Sequence, residues 1–156
     1  MKNTFPLRGR NMPLLLLIFI FVVAGSGCAK IQATKRADKF KSTLDTYSAL
    51  LRWGKYKQAG THIKMREGEP KQLDLEYLKH IHVTRYDVVQ QVASVENEEE
   101  GKGPTEIAVI AEIDYYHDDD LRVHSFEHQQ LWWYDEELEK WFLEGDLPDF
   151  QQHGSH

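Results

Sequence analysis

Two pairs of histidines are the first residues whose spacing could support chemistry. His80 and His82 are two residues apart, and His124 and His128 are four apart, so each pair can share one side of a strand. Four imidazoles meeting across a sheet could bind zinc or copper. The spacing matches no known type of metal site and no acid is fixed among the rings. We therefore expect rim or surface histidines, with no metal site and no cofactor.

Cys28 is the single cysteine of the 156-residue chain, which excludes an internal disulfide and a zinc site built from paired cysteines. Before it come a basic segment at 1–13, the apolar run 14–24 and the small residues Gly25-Ser26-Gly27. That order is typical of a secretory signal peptide. The apolar run covers only about 16 Å of helix, roughly half of what a membrane span needs.

The sequence Gly25-Ser26-Gly27-Cys28 resembles the lipobox of bacterial lipoproteins. The resemblance implies that residues 1–27 are removed and that Cys28 carries acyl chains, enough for durable membrane anchoring. In that family Ala29 after the cysteine implies an outer-membrane address, facing the periplasm. The alternative is ordinary signal cleavage after Ser26, which would leave Cys28 as a free thiol near the new terminus.

The charge distribution argues against nucleic acid as a partner. The full chain has a net charge of −6, and removing 1–27 leaves 16 Lys and Arg against 25 acids, or −9. The basic segment 29–41, beside the proposed anchor, could gain up to about 1 kcal/mol per basic side chain at an anionic membrane. Acidic runs at 96–100, 118–120 and 135–139 are expected to be solvated loops.

Apolar spacing predicts helices in the first part of the mature chain. Spacings of four, three and four predict an amphipathic helix from Arg36 to Trp53, ended by Gly54. Its apolar stripe is Phe40, Leu44, Tyr47 and Leu51, widened by Leu50 and Trp53. Short helices are expected at 55–59 and around 73–78, and 61–65 is expected to be a short edge strand.

Beyond residue 80 the apolar period shortens toward two, which predicts strands at 81–95, 107–115, 123–134 and 140–144. On the first strand, Tyr86, Val88 and Val92 are expected to share one face. Polar turns separate the strands at regular intervals, so an antiparallel meander is the simplest topology. Helices followed by a meander make an α+β fold in which the helices cover one sheet face.

The segments 47–59 and 131–143 resemble the NTF2-like (cystatin-like, SnoaL-like) superfamily over residues 36–146. The first segment belongs to a long helix and a short second helix that ends in Gly, with a third small helix after it, and the second segment has the pattern aromatic, acidic turn, Trp, apolar. The resemblance implies a cone of N-terminal helices on a strongly curved antiparallel meander. The expected organisation is a signal peptide at 1–27, a lipidated linker at 28–35, the domain at 36–146 and a tail at 147–156.

The same resemblance implies an enzymatic alternative, because several NTF2-like isomerases and dehydratases move a proton inside the cone. The available residue types are Tyr56, Asp87, Asp114, His124, Glu127 and His128. A carboxylate buried there would have a raised pKa suited to a general base. Asp87 and Asp114 alternate with apolar neighbours, however, and are therefore expected to face solvent.

The last hairpin carries aromatic residues on both faces. Trp132, Trp133 and Trp141 either form an exposed binding patch or pack across strands at the end of the sheet. Leu147 and Phe150, on either side of Pro148, either fold back over the cone mouth or offer a partner two apolar anchors.

From these features we expect a lipid-anchored, non-catalytic binding or accessory module of the cell envelope, with an envelope protein, a second copy or a small apolar ligand as its partner. The candidate ligand-binding or interface residues are Tyr56, His124, His128, Trp132, Trp133 and Trp141. The alternatives are a cone-pocket enzyme of lyase, isomerase or hydrolase type and a mainly structural envelope component.

Overall fold

The structure is a computed structural model that describes the backbone of residues 12–93 and 103–151 and the side chains of 32–93 and 103–151. The side chain of Cys28 lies outside this description. The elements are α1 Met12–Arg52, α2 Tyr56–Ala59, a 3₁₀ turn Gly60–His62, α3 Leu75–Leu78, β1 Ile81–Ala93, β2 Glu106–His117, β3 His124–Asp135 and β4 Lys140–Glu144. Among the described residues, no helix combines the length and apolar character needed to cross a membrane.

The four strands form one open antiparallel sheet in the order β1-β2-β3-β4, so the predicted α+β class and meander are confirmed. Strict alternation on β2 places Ile107, Val109, Ala111, Ile113 and Tyr115 on the buried inner face. Helix α1 covers that face, since neither layer can bury its apolar surface alone.

The predicted apolar stripe of α1 is confirmed, because Phe40, Leu44, Tyr47 and Leu51 are all buried. The Phe40 ring centroid lies 5.1 Å from that of Trp141 on β4, and the Tyr47 centroid lies 5.3 Å from that of Trp132 on β3. The helix therefore crosses the inner face.

The bounds of α1 differ from the prediction at its beginning and agree at its end. The helix begins at Met12 instead of Arg36, and it continues through Gly25-Ser26-Gly27 because no proline interrupts residues 14–52. It ends where Gly54 takes a φ of +65°. The Gly54 N–H donates to Leu51 O at 3.0 Å and the Lys55 N–H to Leu50 O at 2.8 Å, which is the Schellman pattern.

Trp53 does not widen the apolar stripe, and that expectation was wrong. Its side chain is 77% exposed, whereas Leu50 packs against the core. At about 100° per residue, Trp53 lies on the opposite side of the helix from Leu51.

The prediction that Tyr86, Val88 and Val92 share a face is wrong for Val92 alone, because Tyr86 and Val88 both pair with inner-face positions of β2. The register with β2 shifts between Val83 and Arg85 and again between Val88 and Gln90. The second shift turns Val92 to the outer face, because one extra residue reverses the alternation. Both Val88 and Val92 are exposed.

The segment 61–65 was predicted to be an edge strand but forms no ladder. It makes one isolated parallel bridge, Ile63 to Leu143, with Lys64 N–H donating to Leu143 O at 3.1 Å. The 3₁₀ turn uses its first two residues and leaves too few for a strand.

Candidate functional site

A small polar cluster lies in the interior between α1 and the sheet. The Tyr86 hydroxyl donates to Gln130 Oε1 at 3.0 Å and accepts from Gln130 Nε2 at 2.8 Å. Trp132 Nε1 donates to the same Oε1 at 2.9 Å. Burial raises the pKa of Tyr86 and of Tyr47, so both phenols stay protonated at neutral pH. These groups therefore bond to one another or pack, and none is a candidate base.

Tyr47 differs from its neighbours because its buried hydroxyl has no hydrogen-bond partner among the described residues. Its ring makes edge contacts with Tyr86 and Trp132 at centroid distances of 6.3 and 5.3 Å. Side chains thus fill this part of the interior.

The other end of the interior is closed by the segment after β4. Phe150 is buried, and its ring centroid lies 5.0 Å from Tyr115 and 6.0 Å from Tyr56. Tyr115 Oη donates to the Phe150 carbonyl at 2.9 Å, and Tyr56 Oη donates to Ile81 O at 2.9 Å. Leu147 is buried as well. Of the two alternatives predicted for Leu147 and Phe150, the structure therefore shows that both fold back onto the domain.

Among the concave regions in the described part of the chain, two could admit a ligand. A cavity of about 340 Å³ lies beside the closing segment, lined in part by His128, Leu73 and Phe150. A larger open groove of about 900 Å³ lies between α1 and α2, away from the sheet, and includes Trp53.

The four candidate histidines do not meet. His80 Nδ1 and His82 Nε2 lie 3.1 and 2.7 Å from the two carboxylate oxygens of Asp118 in the β2–β3 turn. Hydrogen bonding to His80, and then to His82, lowers the pKa of Asp118. Among the described residues, no group of three or more His, Cys, Asp or Glu side chains is arranged to hold a metal ion.

His124 and His128 lie on the inner face of β3, where their backbones pair with Tyr115 and Ala111 of β2. His124 Nε2 lies 3.2 Å from an oxygen of Asp120. His124 and His128 therefore share a face, as their spacing predicts, but they lie apart from His80 and His82.

The carboxylates Asp87 and Asp114 lie on the outer face, as predicted. Arg85 donates to both Asp114 oxygens, at 2.6 and 3.1 Å, to Glu112 at 2.6 Å and to Asp87 at 3.3 Å. Hydrogen bonds from Arg85 and then Ser125 lower the pKa of Asp114. A general base needs the opposite shift.

The tryptophans of the last hairpin occupy different environments. Trp132 and Trp141 are buried under α1, and Trp141 Nε1 donates to the Arg36 carbonyl at 3.0 Å. Trp133 is half-buried on the outer face, opposite Phe142, and its Nε1 donates to Lys64 O at 2.9 Å. Cross-strand packing accounts for most of this aromatic surface.

The outer face also carries an apolar strip, which contains none of the candidate residues predicted from the sequence. Two neighbouring rungs of the sheet are Val92–Ala108–Leu131 and Gln90–Ile110–Gln129. We call Val92, Ala108, Ile110 and Leu131 the outer band; all four are exposed or half-buried. Its signal in the sequence was the apolar character of Ala108 and Ile110 between the buried residues of β2.

Carboxylates border the outer band on both sides. The next rung toward the β2–β3 turn is Asp87–Glu112–Glu127. On the opposite side Arg66 bonds to Glu144, with Nε to Oε2 at 3.0 Å, and to Glu106. Sequence reasoning missed both arginines, because apart from Asp87 their partners lie 27 to 78 residues away along the chain.

Comparisons with protein-family models, curated proteins and solved structures found no match to this chain.

Proposed function

We propose that the protein is a lipid-anchored module of the bacterial cell envelope, held at the periplasmic side of the outer membrane, that acts by binding another protein. We also propose that its helix-covered meander is an NTF2-like cone. The α+β order, the meander and the crossing of α1 over the inner face support that fold.

The difference between the two faces of the sheet supports a binding function. On the inner face, the groups able to do chemistry pack or bond to one another, as Tyr86, Gln130 and Trp132 do. On the outer face, apolar side chains meet solvent beside charged ones, and such a surface usually marks an interaction site. Binding through the outer face therefore fits better than catalysis inside the cone.

The titratable groups disfavour the enzymatic alternative. Asp114 has a lowered pKa and faces away from the interior, and Tyr47 and Tyr86 have raised values that keep them protonated. A pocket enzyme would have to use the groups that line the cavity beside Phe150, among them His128, Tyr77, Asp74, Asp146 and Asp149.

Attachment at Cys28 agrees with the position of the domain on α1. The helix is continuous from Cys28 to Arg36, which is the first buried residue among the side chains that the structure describes. Eight residues of helix separate membrane and domain by only about 12 Å. The basic residues Lys35 and Lys41 are exposed on this part of the chain.

One membrane preparation tests both the lipid anchor at Cys28 and the association with a partner. Wild type and Cys28→Ser are expressed in the source cells, fractionated, and sized after gentle detergent extraction. We expect acylated wild type in the membrane, in a complex larger than one chain, and soluble Cys28→Ser. An unmodified soluble wild type would reject the anchor, and a lone chain in detergent would reject the binding module.

A further inference from the structure

We propose that the outer band binds a segment of the partner protein that presents aliphatic side chains flanked by lysine or arginine. This inference rests on the proposed binding function and assigns it a surface and a partner chemistry.

The apolar side chains of the outer band are exposed to solvent or half-buried. Val92 is 51% exposed, Ala108 is exposed, and Ile110 and Leu131 are half-buried, although all four lie on paired strands. Alternate residues of β2 are already buried on the inner face, so the fold itself does not require apolar residues here. An apolar partner surface would remove these side chains from water.

Carboxylates outnumber basic side chains on both flanks of the outer band. Six carboxylates lie on the flanks of the band and only two guanidinium groups lie among them. Arg85 pairs with Asp87, Glu112 and Asp114, and Arg66 pairs with Glu106 and Glu144. Glu127 lies opposite Glu112 in the sheet. Four negative charges are therefore in excess. A partner with basic residues on both sides of an aliphatic centre complements this pattern.

The same charges disfavour a second copy of this chain as the occupant. A two-fold axis through the band would bring each acidic flank against an acidic flank of the other copy, whichever way the copies are turned. Like charges facing each other at an interface are strongly unfavourable. The band is also a sheet face and not a concavity, which fits a protein segment better than a small molecule.

The experiment places a photo-crosslinking amino acid in the full-length, membrane-attached protein in its source cells. One position is Ala108 in the band, and the matched position is Lys57, exposed on α2. Crosslinked segments are identified by mass spectrometry. Each form is also made with Glu127→Lys on the band's flank or with Asp45→Lys on α1, two exposed charge reversals that change the net charge equally.

We expect Ala108 to crosslink to a segment that combines aliphatic residues with lysine or arginine. Glu127→Lys should lower that yield about tenfold, and Asp45→Lys less than twofold. Crosslinking to a second copy, to lipid or to a segment without basic residues would overturn the inference, and so would equal effects of the two reversals. Capture from Lys57 alone would overturn the inference and retain the binding function, whereas capture from neither position would reject both.

Discussion

Both faces of the sheet carry polar side chains, but the two faces place them in different environments. On the inner face, Tyr86, Gln130 and Trp132 bond to one another beneath α1. On the outer face, Arg85 and its carboxylates stand in solvent beside exposed aliphatic residues. Most polar groups inside a domain bond to one another, whereas those on its surface are accessible to a partner. A residue type therefore indicates function only once its face is known.

Neighbouring tryptophans of β3 give the strongest test of this difference. Trp132→Ala should lower the free energy of unfolding by about 3–5 kcal/mol, because a fully buried indole and its bond to Gln130 are lost. Trp133→Ala should lower it by about 1–2 kcal/mol, since that side chain is half-buried. Urea unfolding of both variants checks this, and equal losses would mean that the faces do not differ in packing.

The closing segment should behave as part of the inner core. Phe150→Ala removes a ring that contacts Tyr56 and Tyr115 and should destabilise the protein by about 3 kcal/mol. The exposed neighbour Gln151 supplies the control, and Gln151→Ala should change the free energy of unfolding by less than about 0.5 kcal/mol. Thermal unfolding measures both; a Phe150 variant as stable as the control would show that the segment is not docked.

Adjacent glutamines on opposite faces test the polar cluster. Gln130→Leu leaves the Tyr86 hydroxyl and Trp132 Nε1 without their bonds and should cost about 2 kcal/mol. Gln129→Leu, on the exposed outer face, should stay within about 0.5 kcal/mol of wild type. Denaturant titrations compare the two, and a neutral Gln130→Leu would mean that the cluster adds nothing to stability.

The smallest expected effect is a pH dependence on the outer face. The Arg85 hydrogen bond holds the pKa of Asp114 below its unfolded value of about 3.9, so this contribution is present above pH ~4 and is lost as the pH falls through the folded value. Arg85→Met should therefore make the fall in stability between pH 5 and pH 3 shallower. Unfolding across that range measures the slope, and exposed Lys57→Met is the control. If the pH dependence of stability is unchanged in Arg85→Met, the Arg85–Asp114 hydrogen bond does not contribute to it.

Periodicity was sufficient to predict much of the fold. Phe40 to Leu51 indicated the covering helix, and Ile107 to Tyr115 indicated the central strand, because repeated burial on one side of an element imposes a regular spacing. The bulge at Val89 could not be predicted, since an inserted residue leaves no mark in an already β-branched run. For the same reason, the face on which Val92 lies could not be predicted.

The candidate site was less accessible to prediction than the fold. The bonds of His80 and His82 to Asp118 and of Arg85 to Asp114 join residues that are 29 to 38 positions apart. Local spacing carries no information about such partners until the strand register is known. The outer band likewise appears only when three strands are aligned.

We propose that the interior stabilises the domain while the outer face binds the partner, and Val92→Glu should separate these two roles. The measurement is the size of the detergent-extracted protein, taken together with its free energy of unfolding, for Val92→Glu and for His128→Ala at the inner cavity. We predict that Val92→Glu runs as a single chain with stability within about 0.5 kcal/mol of wild type, while His128→Ala keeps the complex. A complex that survives Val92→Glu and is lost in a folded His128→Ala would contradict the account.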